Sequence, residues 1–449
     1  MHAKPPHWLT PEARHKLGQS RRKQIGRQQH NNLHPKERPI DALTLLNQAA
    51  KGRLPALVKL KFQLMSQSPF SYFRGAAPVM AADLASIPST GILTQICGDA
   101  HVRNLGAYAA PDGRLVFDIN DFDETIRAPF EWELKRMAAS LILAGREAGL
   151  KESAAHDAAV QCIAYYAACM QSFAQMPLLD VARYQVHFEG SAVHDALLKA
   201  ERATPLHNLE QLTQPTGKST QRETPHRFRT IKPTLTRVTG KEAQSVLASL
   251  KPYQQTLEPQ RVRLLSLYRP IDVAFKVVGT GSVGLRDYCI YFEGNGPNDP
   301  LFLQIKQETT SAYAPYLPKA HPPAHNGQRA VQGQRAMQLQ SDPFLGWTQI
   351  AGRHYLVRQL NDHKGSIDME DLAGKGLLAY AQVCGELLAR GHARAGDPLI
   401  LSGYIGSGEG FAEALAEFGT HYANQTEKDW ESLKQHLKHR GKTAASKRR

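Results

Sequence analysis

The segment DINDFDE at residues 118–124 places the strongest constraint on how this chain can fold. Four of its seven side chains are acidic, and they directly follow the apolar run LVF. So many carboxylates beside apolar residues are costly unless a cation or hydrogen bonds compensate the charge. Hard cations such as Mg²⁺ or Mn²⁺ prefer oxygen ligands of this kind. The candidate metal ligands in this segment are Asp118, Asp121 and Asp123.

A second polar cluster, GDAHVRN at residues 98–104, follows the apolar run GILTQIC. Asp99, on a tight loop after a strand, can accept a proton from a nucleophilic hydroxyl group, and Asn104 can offer its amide oxygen to a cation. His101 is a further candidate catalytic residue. Its alternative role is to organise the loop through a hydrogen bond. Either cluster alone also fits turn or helix-capping chemistry. Two such clusters, each at the end of an apolar strand, favour a catalytic site.

A third motif, GTGSVG, contains Gly279, Gly281, Ser282 and Gly284. A dinucleotide-binding turn requires a helix directly after it, whereas the strand-like segment LRDYCIYFEG follows here. A glycine-rich hairpin that closes over phosphates is therefore favoured. The next apolar run, LFLQIK, ends in Lys306, a lysine that needs an anionic partner. A plain hairpin with a lysine on an edge strand is the alternative.

The net charge of +14 resides in the two ends of the chain. Residues 1–40 carry nine Lys or Arg against two acidic residues, and residues 432–449 carry seven against none. We predict a basic flexible arm and a basic tail with weak affinity for RNA or other polyanions. The body between them is formally neutral and has no recognition-helix or zinc-finger pattern, which argues against a folded domain that recognises nucleic acid.

The cysteine and hydropathy patterns predict a cytoplasmic protein. The five cysteines are scattered and lack CxxC spacing, which argues against disulfides and zinc and fits a reducing compartment. The sequence has no apolar run long enough to span a membrane, and it begins without the apolar core of a secretory signal. We therefore expect no membrane association.

Hydrophobic periodicity predicts an α+β protein. Helical spacing occurs at about residues 131–149, 153–175, 329–340 and 377–393. Three strand-like runs between residues 272 and 308, separated by Gly, Pro and Asn turns, predict an antiparallel meander. Residues 203–240 are rich in Thr, Pro, Gln and basic residues, which predicts a long loop or linker.

Together these segments resemble known families. GDAHVRN, followed by DGRLVFDINDFDE and FEWELKRMAASL, is similar to the catalytic loop, metal-binding strand and next helix of the aminoglycoside phosphotransferase branch of the protein-kinase-like superfamily. From about residue 20 to residue 430, the chain resembles the bacterial domain-of-unknown-function 2252 family more specifically. The matching segments include SPFSYFRGAAPVMAADLA, QICGDAHVRNLG, FDINDFDET, DVAFKVVGTGSVGLR and VRQLNDHKGS.

The kinase-like resemblance implies a two-lobed fold, with ATP and Mg²⁺ or Mn²⁺ as cofactors. It implies that Asp99 is the catalytic base and that Asn104 and Asp121 bind metal, with Asp118 as a rival of Asp121. It also implies that the glycine-rich loop covers the phosphates and that Lys306 pairs with them. These roles are carried over only at the positions that match the family's motifs.

The order of the segments departs from that of a kinase, in which the glycine-rich loop and lysine precede the catalytic loop. The segment LLAYAQVCGELLARGHA at residues 377–393 resembles the helix that leads into a catalytic loop. A circular permutation of the kinase-like fold explains both departures, and it requires Lys306 to lie near Asp121. The glutamate that pairs with the kinase lysine has no counterpart in RAVQGQRAMQ. We therefore expect Glu308 to substitute for it, or activity to be weak.

These patterns predict a mostly helical larger lobe and an antiparallel-sheet smaller lobe. The predicted divisions are a basic flexible arm at 1–40, a helical lobe with the catalytic-loop-like and metal-binding-like segments at 41–260, a nucleotide-binding sheet lobe at 261–365, returning helices at 366–431 and a basic tail at 432–449. Arg74, Lys135 and Arg136 are candidates for anion contacts or for salt bridges to the acidic cluster.

The expected function is an ATP- and magnesium-dependent phosphotransferase that acts on a hydroxyl or amine of an unidentified acceptor. A nucleotide-binding regulator without turnover is one alternative, supported by the missing glutamate. A metal-dependent phosphoester hydrolase with a two-metal site in residues 99–123 is another. A polyanion-binding protein that works through its basic ends is the last.

Overall fold

The computed structural model describes residues 8–33, 38, 40–186, 191–216, 226–277, 279, 281–360, 364–408 and 410–446. Its helices and strands form an α+β architecture, as the periodicity predicted. The helices are α1 (Pro11–Gln24), α2 (Ala42–Ala49), α3 (Pro55–Met65), α4 (Pro69–Gly75), α5 (Ala77–Ala85), α6 (Phe130–Glu147), α7 (Glu152–Gln175), α8 (Leu178–Arg183), α9 (Ser191–Arg202), α10 (Pro205–Leu212), α11 (Gly240–Ala248), α12 (Leu250–Gln254), α13 (Pro259–Leu265), α14 (Asn326–Met337), α15 (Gly376–Ala395), α16 (Pro398–Ile405) and α17 (Phe411–Ser446). The strands are β1 (Leu93–Ile96), β2 (Leu105–Ala109), β3 (Leu115–Ile119), β4 (Ile126–Pro129), β5 (Thr213–Pro215), β6 (His226–Phe228), β7 (Leu235–Val238), β8 (Arg269–Lys276), β9 (Asp287–Glu293), β10 (Pro300–Glu308), β11 (Gly346–Ile350), β12 (Arg353–Gln359) and β13 (Gly365–Ser366).

The largest sheet within the described residues has six strands in the order β11–β12–β10–β9–β8–β7. The predicted meander is confirmed, because β8 pairs with β9 and β9 with β10, both antiparallel. The glycine-rich motif connects β8 to β9, so a strand follows the glycines, as the hairpin interpretation required. Apolar side chains of the sheet, such as Ile290 and Leu303, pack with Tyr253 of α12 in a separate hydrophobic core.

Helices α6, α7, α15 and α17 contribute to a second, larger core. Nearly every side chain of α6 is buried, because other elements cover it on all sides. Gly385 allows α15 to approach α7 closely, since a Cβ at this position would overlap the carbonyl oxygen of Cys162. None of the described helices is both long enough and apolar enough to cross a membrane.

Two short strand pairs carry the polar clusters onto this helical core. β1 pairs with β4, and β2 pairs with β3, both antiparallel. The loop that contains residues 98–104 links β1 to β2, and the loop that contains residues 120–125 links β3 to β4. The topology therefore places the two loops side by side, although neither contains regular structure of its own.

The predicted flexible arm is contradicted over its described part. Helix α1 packs along α16. His30 is completely buried, and its Nε2 lies 2.7 Å from the Tyr404 hydroxyl. The Arg38 guanidinium forms ion pairs with Asp83 and Asp429. Part of the basic charge that composition alone predicted to be exposed to solvent is therefore paired with carboxylates of the folded chain. Residues 1–7, 34–37 and 39 lie outside the described part.

The predicted basic tail and linker also differ from the structure. Helix α17 continues to Ser446, so residues 432–446 are helical, and Leu433 is fully buried. The predicted linker at 203–240 contains α10, β5, β6 and β7, and β7 adds an edge strand to the large sheet. β5 and β6 pair with each other, whereas β7 pairs with β8 outside the segment, and local composition does not reveal either pairing. Residues 217–225 and 447–449 lie outside the described residues.

Substitution of Gly18 tests the docking of α1. Alanine normally stabilises a helix interior by roughly 0.5–1 kcal/mol relative to glycine, but a Cβ at position 18 would overlap the carbonyl oxygen of Ile400. We expect Gly18→Ala to lower the free energy of unfolding by about 1–3 kcal/mol, as measured by urea denaturation. Gly26→Ala is the control, because its added Cβ meets no atom closer than 3.9 Å. Unchanged or increased stability of Gly18→Ala would contradict the docked helix.

Candidate active site

The two polar clusters are joined through Gly98 and Asn104. Gly98 has a φ of +82°, which favours glycine, and a Cβ there would overlap the carbonyl oxygen of Glu124. Asn104 Nδ2 donates hydrogen bonds to the carbonyl oxygens of Asp99 at 2.9 Å and Asp121 at 3.0 Å. Asn104 therefore fixes both loops, and Oδ1 is the side-chain atom that can coordinate a cation.

A buried network holds the catalytic-loop-like segment from the side of the helical core. The Gly98 amide donates to Glu133 Oε1 at 2.9 Å, and Glu133 Oε2 lies 2.9 Å from His392 Nε2. His392 Nδ1 in turn lies 2.9 Å from the Tyr166 hydroxyl. Side chains of helices α6, α7 and α15 thus hold the start of the loop in place. The apolar spacing of these helices in the sequence did not predict this network.

Asp99 is oriented by Arg136. Arg136 Nε donates to Asp99 Oδ1 at 2.8 Å, and Nη2 donates to the same oxygen. The Arg136 side chain is completely buried, whereas 22% of the Asp99 side chain is exposed. One carboxylate oxygen is therefore committed to Arg136, and Oδ2 is the oxygen that can accept a proton from an acceptor.

His101 organises the loop that contains Asp99. Its Nδ1 accepts a hydrogen bond from the Arg103 amide at 3.2 Å, which places the ring proton on Nε2, 3.9 Å from Asp99 Oδ2. Burial, together with Arg74 and Arg136, lowers the pKa of His101 to about 3, although Asp99 opposes the shift. The ring is therefore neutral at pH 7, and its contacts are those of the loop-organising role.

Lys306 connects the large sheet to the acidic segment. Its Nζ lies 3.1 Å from both carboxylate oxygens of Asp121 and 2.6 Å from Asp123. Burial raises the pKa of Asp121, but Lys306, the hydrogen bond with Asp123 and Arg358 outweigh burial and lower that pKa. Burial, Asp121 and Glu308 raise the pKa of Asp123 well above its usual value. Asp121 is therefore the ionised member of the pair, and Asp123 retains its proton more readily.

Glu308 lies two residues beyond Lys306 on β10 and is also buried. Burial raises the pKa of Glu308 to about 7, against the opposing charges of Lys306 and Arg329. Its Oε1 has no hydrogen-bond partner among the described residues. Helix α14 contributes Arg329, 3.8 Å from Glu308, to this region. The expected substitution by Glu308 for the missing helix glutamate is compatible with this placement.

Asp118 does not belong to the cluster. Arg390 Nη2 donates a hydrogen bond to Asp118 Oδ1, and both side chains are buried. The same oxygen accepts a hydrogen bond from the Ile119 amide at 2.8 Å. An arginine of α15 compensates the charge of Asp118, which is not among the residues that line the cavity beside Asp121, so its metal-ligand role stays a prediction that this placement does not favour.

The glycine-rich loop is a turn between two antiparallel strands. Gly279 and Gly284 have φ angles of +69° and +94°, which side chains rarely adopt. The Leu285 amide donates to the Ser282 carbonyl oxygen at 3.0 Å, which closes the second half of the turn. Thr280 lies outside the described residues. The positive φ angles explain why the motif needs glycine at these two positions.

Two cations from the helical part of the chain hold this loop. Lys61 Nζ donates to the Gly281 carbonyl oxygen at 2.7 Å, and Arg53 Nη1 donates to the Val283 carbonyl oxygen at 2.6 Å. Sequence reasoning missed both residues, because no motif surrounds them. The one signal in the sequence was the position of Lys61 within the largely apolar run LVKLKF. In the structure Lys61 is only 2% exposed.

A cavity of about 510 Å³ lies between the glycine-rich loop and the two polar clusters. Its walls contain predicted residues of all three motifs, namely Asp99, His101, Asn104, Asp121, Asp123, Gly279, Gly281 and Ser282. Lys306 and Gly284 line an adjoining pocket that shares Ser282. The cations Arg53, Lys61, Arg74, Arg103, Arg358 and Lys364 also line the main cavity. The site is therefore lined by many cations and is suited to an anionic ligand.

The carboxylates fit a partial magnesium site. Within the described ranges, no group of three or more His, Cys, Asp or Glu side chains is arranged to hold a metal ion. Mg²⁺, however, usually takes one or two carboxylates and completes its shell with waters and substrate phosphates. Asp121 and Asn104 adjoin each other through a 3.0 Å hydrogen bond. The unsatisfied Glu308 oxygen indicates that the cluster has more acceptor atoms than the protein's own cations satisfy.

The fold and site define an α+β protein in which a glycine-rich hairpin, a buried lysine and paired carboxylates surround one cavity. Residues 53–436 match the model of the DUF2252 family, described as an uncharacterized protein conserved in bacteria. The chain belongs to this family, as the sequence resemblance indicated. No curated protein and no solved structure matches the chain.

Asp118→Asn distinguishes a structural acid from a metal ligand. The substitution leaves the Arg390 charge buried without its partner, so we expect a loss of about 3–5 kcal/mol in the free energy of unfolding, measured by urea denaturation. Asp112→Asn, at an exposed position of the same hairpin, is the control and should change stability by less than about 0.5 kcal/mol. Unchanged stability combined with lost Mg²⁺ binding would restore Asp118 as a metal ligand.

Proposed function

We propose that this chain is an ATP- and magnesium-dependent phosphotransferase with a circularly permuted, two-lobed kinase-like fold. The observation that carries the proposal is the contact between Lys306 Nζ and the Asp121 carboxylate at 3.1 Å. This contact joins a lysine of the large sheet to the acidic segment beside a cavity that also contains the glycine-rich loop and Asp99. The permutation hypothesis requires this proximity.

The succession of elements around Lys306 supports a kinase-like smaller lobe. The glycine-rich hairpin β8–β9 is followed by β10 with its lysine, by α14 and by the strand pair β11–β12. Protein kinases have the same succession of glycine-rich loop, strand lysine and helix αC. The helix of this chain differs by offering Arg329 where a kinase offers glutamate.

The position of α15 supports the permutation. Its segment resembles the helix that leads into a kinase catalytic loop, and it ends beside β1, the strand that leads into GDAHVRN. Thr94 Oγ1 of β1 lies 3.3 Å from the His392 carbonyl oxygen. A Cβ on Gly396, just after α15, would lie 2.7 Å from the same Oγ1. Joining α15 to β1 at this point would restore the order of a kinase chain.

Each residue of the cavity has a distinct chemical task in this proposal. Asp99 Oδ2 accepts the proton of the acceptor hydroxyl or amine, while Arg136 holds the carboxylate in place. Asn104 and Asp121 would hold Mg²⁺, with Asp123 beside them, and the ion would supply positive charge for the transferring phosphoryl group. Lys306 binds the nucleotide phosphates. Catalysis then consists of positioning and charge stabilisation.

Nucleotide binding without turnover is the second candidate, and one observation favours it. Lys306 is engaged by Asp121 and Asp123, while α14 supplies no glutamate that would draw the lysine toward the phosphates. An active enzyme must redirect this ammonium group when nucleotide binds. A protein that does not do so would bind ATP and leave it intact.

Calorimetric titration of ATP tests the proposal. We expect the wild type to bind ATP more tightly with Mg²⁺ than without it. Asp121→Ala removes a proposed metal ligand and should weaken binding in the presence of Mg²⁺ by about tenfold or more, the effect of losing one charge-assisted contact. Asp112→Ala, an exposed aspartate outside the cavity, is the control and should bind like the wild type.

Two further results separate the alternatives. Absence of ATP binding by the wild type would remove the kinase-like proposal, and phosphoester hydrolysis without ATP would then favour the two-metal hydrolase. Magnesium-dependent binding without transfer or hydrolysis of the γ-phosphate would favour the non-catalytic regulator. Loss of activity only on removal of the basic ends would favour the polyanion-binding alternative.

A further inference from the structure

Three arginines of the cavity wall form no ion pair with any other described residue. Arg53, Arg74 and Arg103 line the cavity, and none of them forms an ion pair with another residue that the structure describes. Arg53 donates to the carbonyl oxygens of Ala49 and Val283. Arg74 Nε is buried and has no hydrogen-bond partner within the described chain. Cations left in this state beside a cavity are suited to an anionic ligand.

Two of these arginines, Arg74 and Arg103, lie near the candidate catalytic base, whereas Arg53 binds the glycine-rich loop. Arg136, which binds Asp99, also donates to the carbonyl oxygen of Phe73 at 3.2 Å, directly before Arg74 in the chain. Arg103 belongs to the same loop as Asp99. Burial and the neighbouring charge of Arg103 lower the pKa of Arg74. Two guanidinium groups that repel each other gain most from an anion bound between them.

A separate set of cations lies on the nucleotide side. Lys306 contacts Asp121, and Arg358 Nη1 donates to the carbonyl oxygen of Asn120 at 3.0 Å. Lys364 lines the same cavity, and the charge of Arg358, followed by burial, lowers its pKa to about 7. The phosphates of a nucleotide beside Asp121 therefore have cations of their own. Arg74 and Arg103, near Asp99, are not needed for them.

We propose that Arg74 and Arg103 bind a phosphate group that the acceptor already carries. The inference rests on the proposed phosphotransferase function and assigns a substrate class to it, a phosphorylated small molecule with a free hydroxyl group. A planar guanidinium group can donate two parallel hydrogen bonds to a phosphate, which suits arginine for this role. A polycationic acceptor would instead meet like charge at this end of the cavity.

The transfer step follows from this placement. The acceptor hydroxyl gives its proton to Asp99 Oδ2, and its oxygen forms a bond to the γ-phosphorus of ATP. The bond between that phosphorus and the oxygen bridging to the β-phosphate breaks, and ADP leaves with the bond's electron pair. The product carries two phosphate groups, one bound by the arginines and one newly transferred.

Phosphate titration into the nucleotide-loaded protein tests the inference. The full chain is saturated with Mg²⁺ and a non-hydrolysable ATP analogue, so that the nucleotide side is occupied, and inorganic phosphate is then titrated by calorimetry. We expect one phosphate site, weakened about tenfold or more in Arg74→Gln and in Arg103→Gln. The control is Arg263→Gln, an exposed arginine of α13 outside the cavity, which should bind phosphate like the wild type.

The outcomes separate this inference from the proposed function. If the wild type binds the analogue but no phosphate, or if both cavity variants bind phosphate like the wild type, the acceptor-phosphate site is wrong and the phosphotransferase proposal stands. If the wild type does not bind the analogue, both are wrong. Arg103 is exposed, so Arg103→Gln remains informative even if Arg74→Gln does not fold.

Discussion

The whole site depends on the ion pairs that the ammonium group of Lys306 forms with Asp121 and Asp123. Only 4% of the Lys306 side chain is exposed, and its ion pairs link the large sheet to the loop between β3 and β4. Buried ion pairs contribute little net stability, because desolvation offsets most of their Coulombic attraction. A well-packed apolar side chain would serve the fold as well. A lysine at this position is therefore better explained by the chemistry of the site than by stability.

Two groups of buried charges in this protein show how a structural ion pair differs from the charges of the candidate active site. Asp118 and Arg390 form a balanced pair of one anion and one cation, both buried away from the cavity. Around Lys306, by contrast, Asp121 and Asp123 share one ammonium group, and nearby Glu308, 3.8 Å from Arg329, has an oxygen without a hydrogen-bond partner among the described residues. The first arrangement has no capacity for a further ion. The second has acceptor atoms to spare, as a site that works with a divalent cation requires.

Helices α6 and α15 make the site rigid. Arg136 and Glu133 project from α6 to Asp99 and to the Gly98 amide, while His392 and Arg390 of α15 support Glu133 and Asp118. Asp99 and Asp121 lie on loops, but buried side chains of these two helices hold the start of the first loop and the end of β3 before the second. Such support from rigid elements is what precise positioning of catalytic groups requires.

The motifs of the site could be predicted from sequence because each is local. An apolar strand followed by a polar loop places Asp99, Asn104 and Asp121, and alternating apolar runs with glycine turns predict the meander that carries Lys306. What could not be predicted depends on partners distant in the chain. The pairing of Asp118 with Arg390 could not be foreseen, because Arg390 follows it by 272 residues. The cations Arg53 and Lys61 were missed for the same reason, since only the folded chain brings them to the glycine-rich loop.

The basic ends illustrate the same limit in another way. Composition counts the charge of residues 1–40 correctly, but it cannot tell that α1 packs along α16 or that Arg38 pairs with Asp83 and Asp429. A flexible arm was therefore the wrong interpretation of a segment that is docked over its described part. Docking depends on steric fit, because a Cβ on Gly18 or on Gly403 would overlap a carbonyl oxygen of the facing helix.

A crystal structure of the full chain with Mn²⁺ and a non-hydrolysable ATP analogue tests the central claim most directly. Mn²⁺ replaces Mg²⁺ at oxygen sites, and its anomalous scattering locates it without reference to any model. The account predicts a manganese peak between Asp121 and Asn104, with the phosphates between the glycine-rich loop and Lys306. Manganese or nucleotide bound elsewhere, with Lys306 still paired to Asp121 and Asp123, would contradict it.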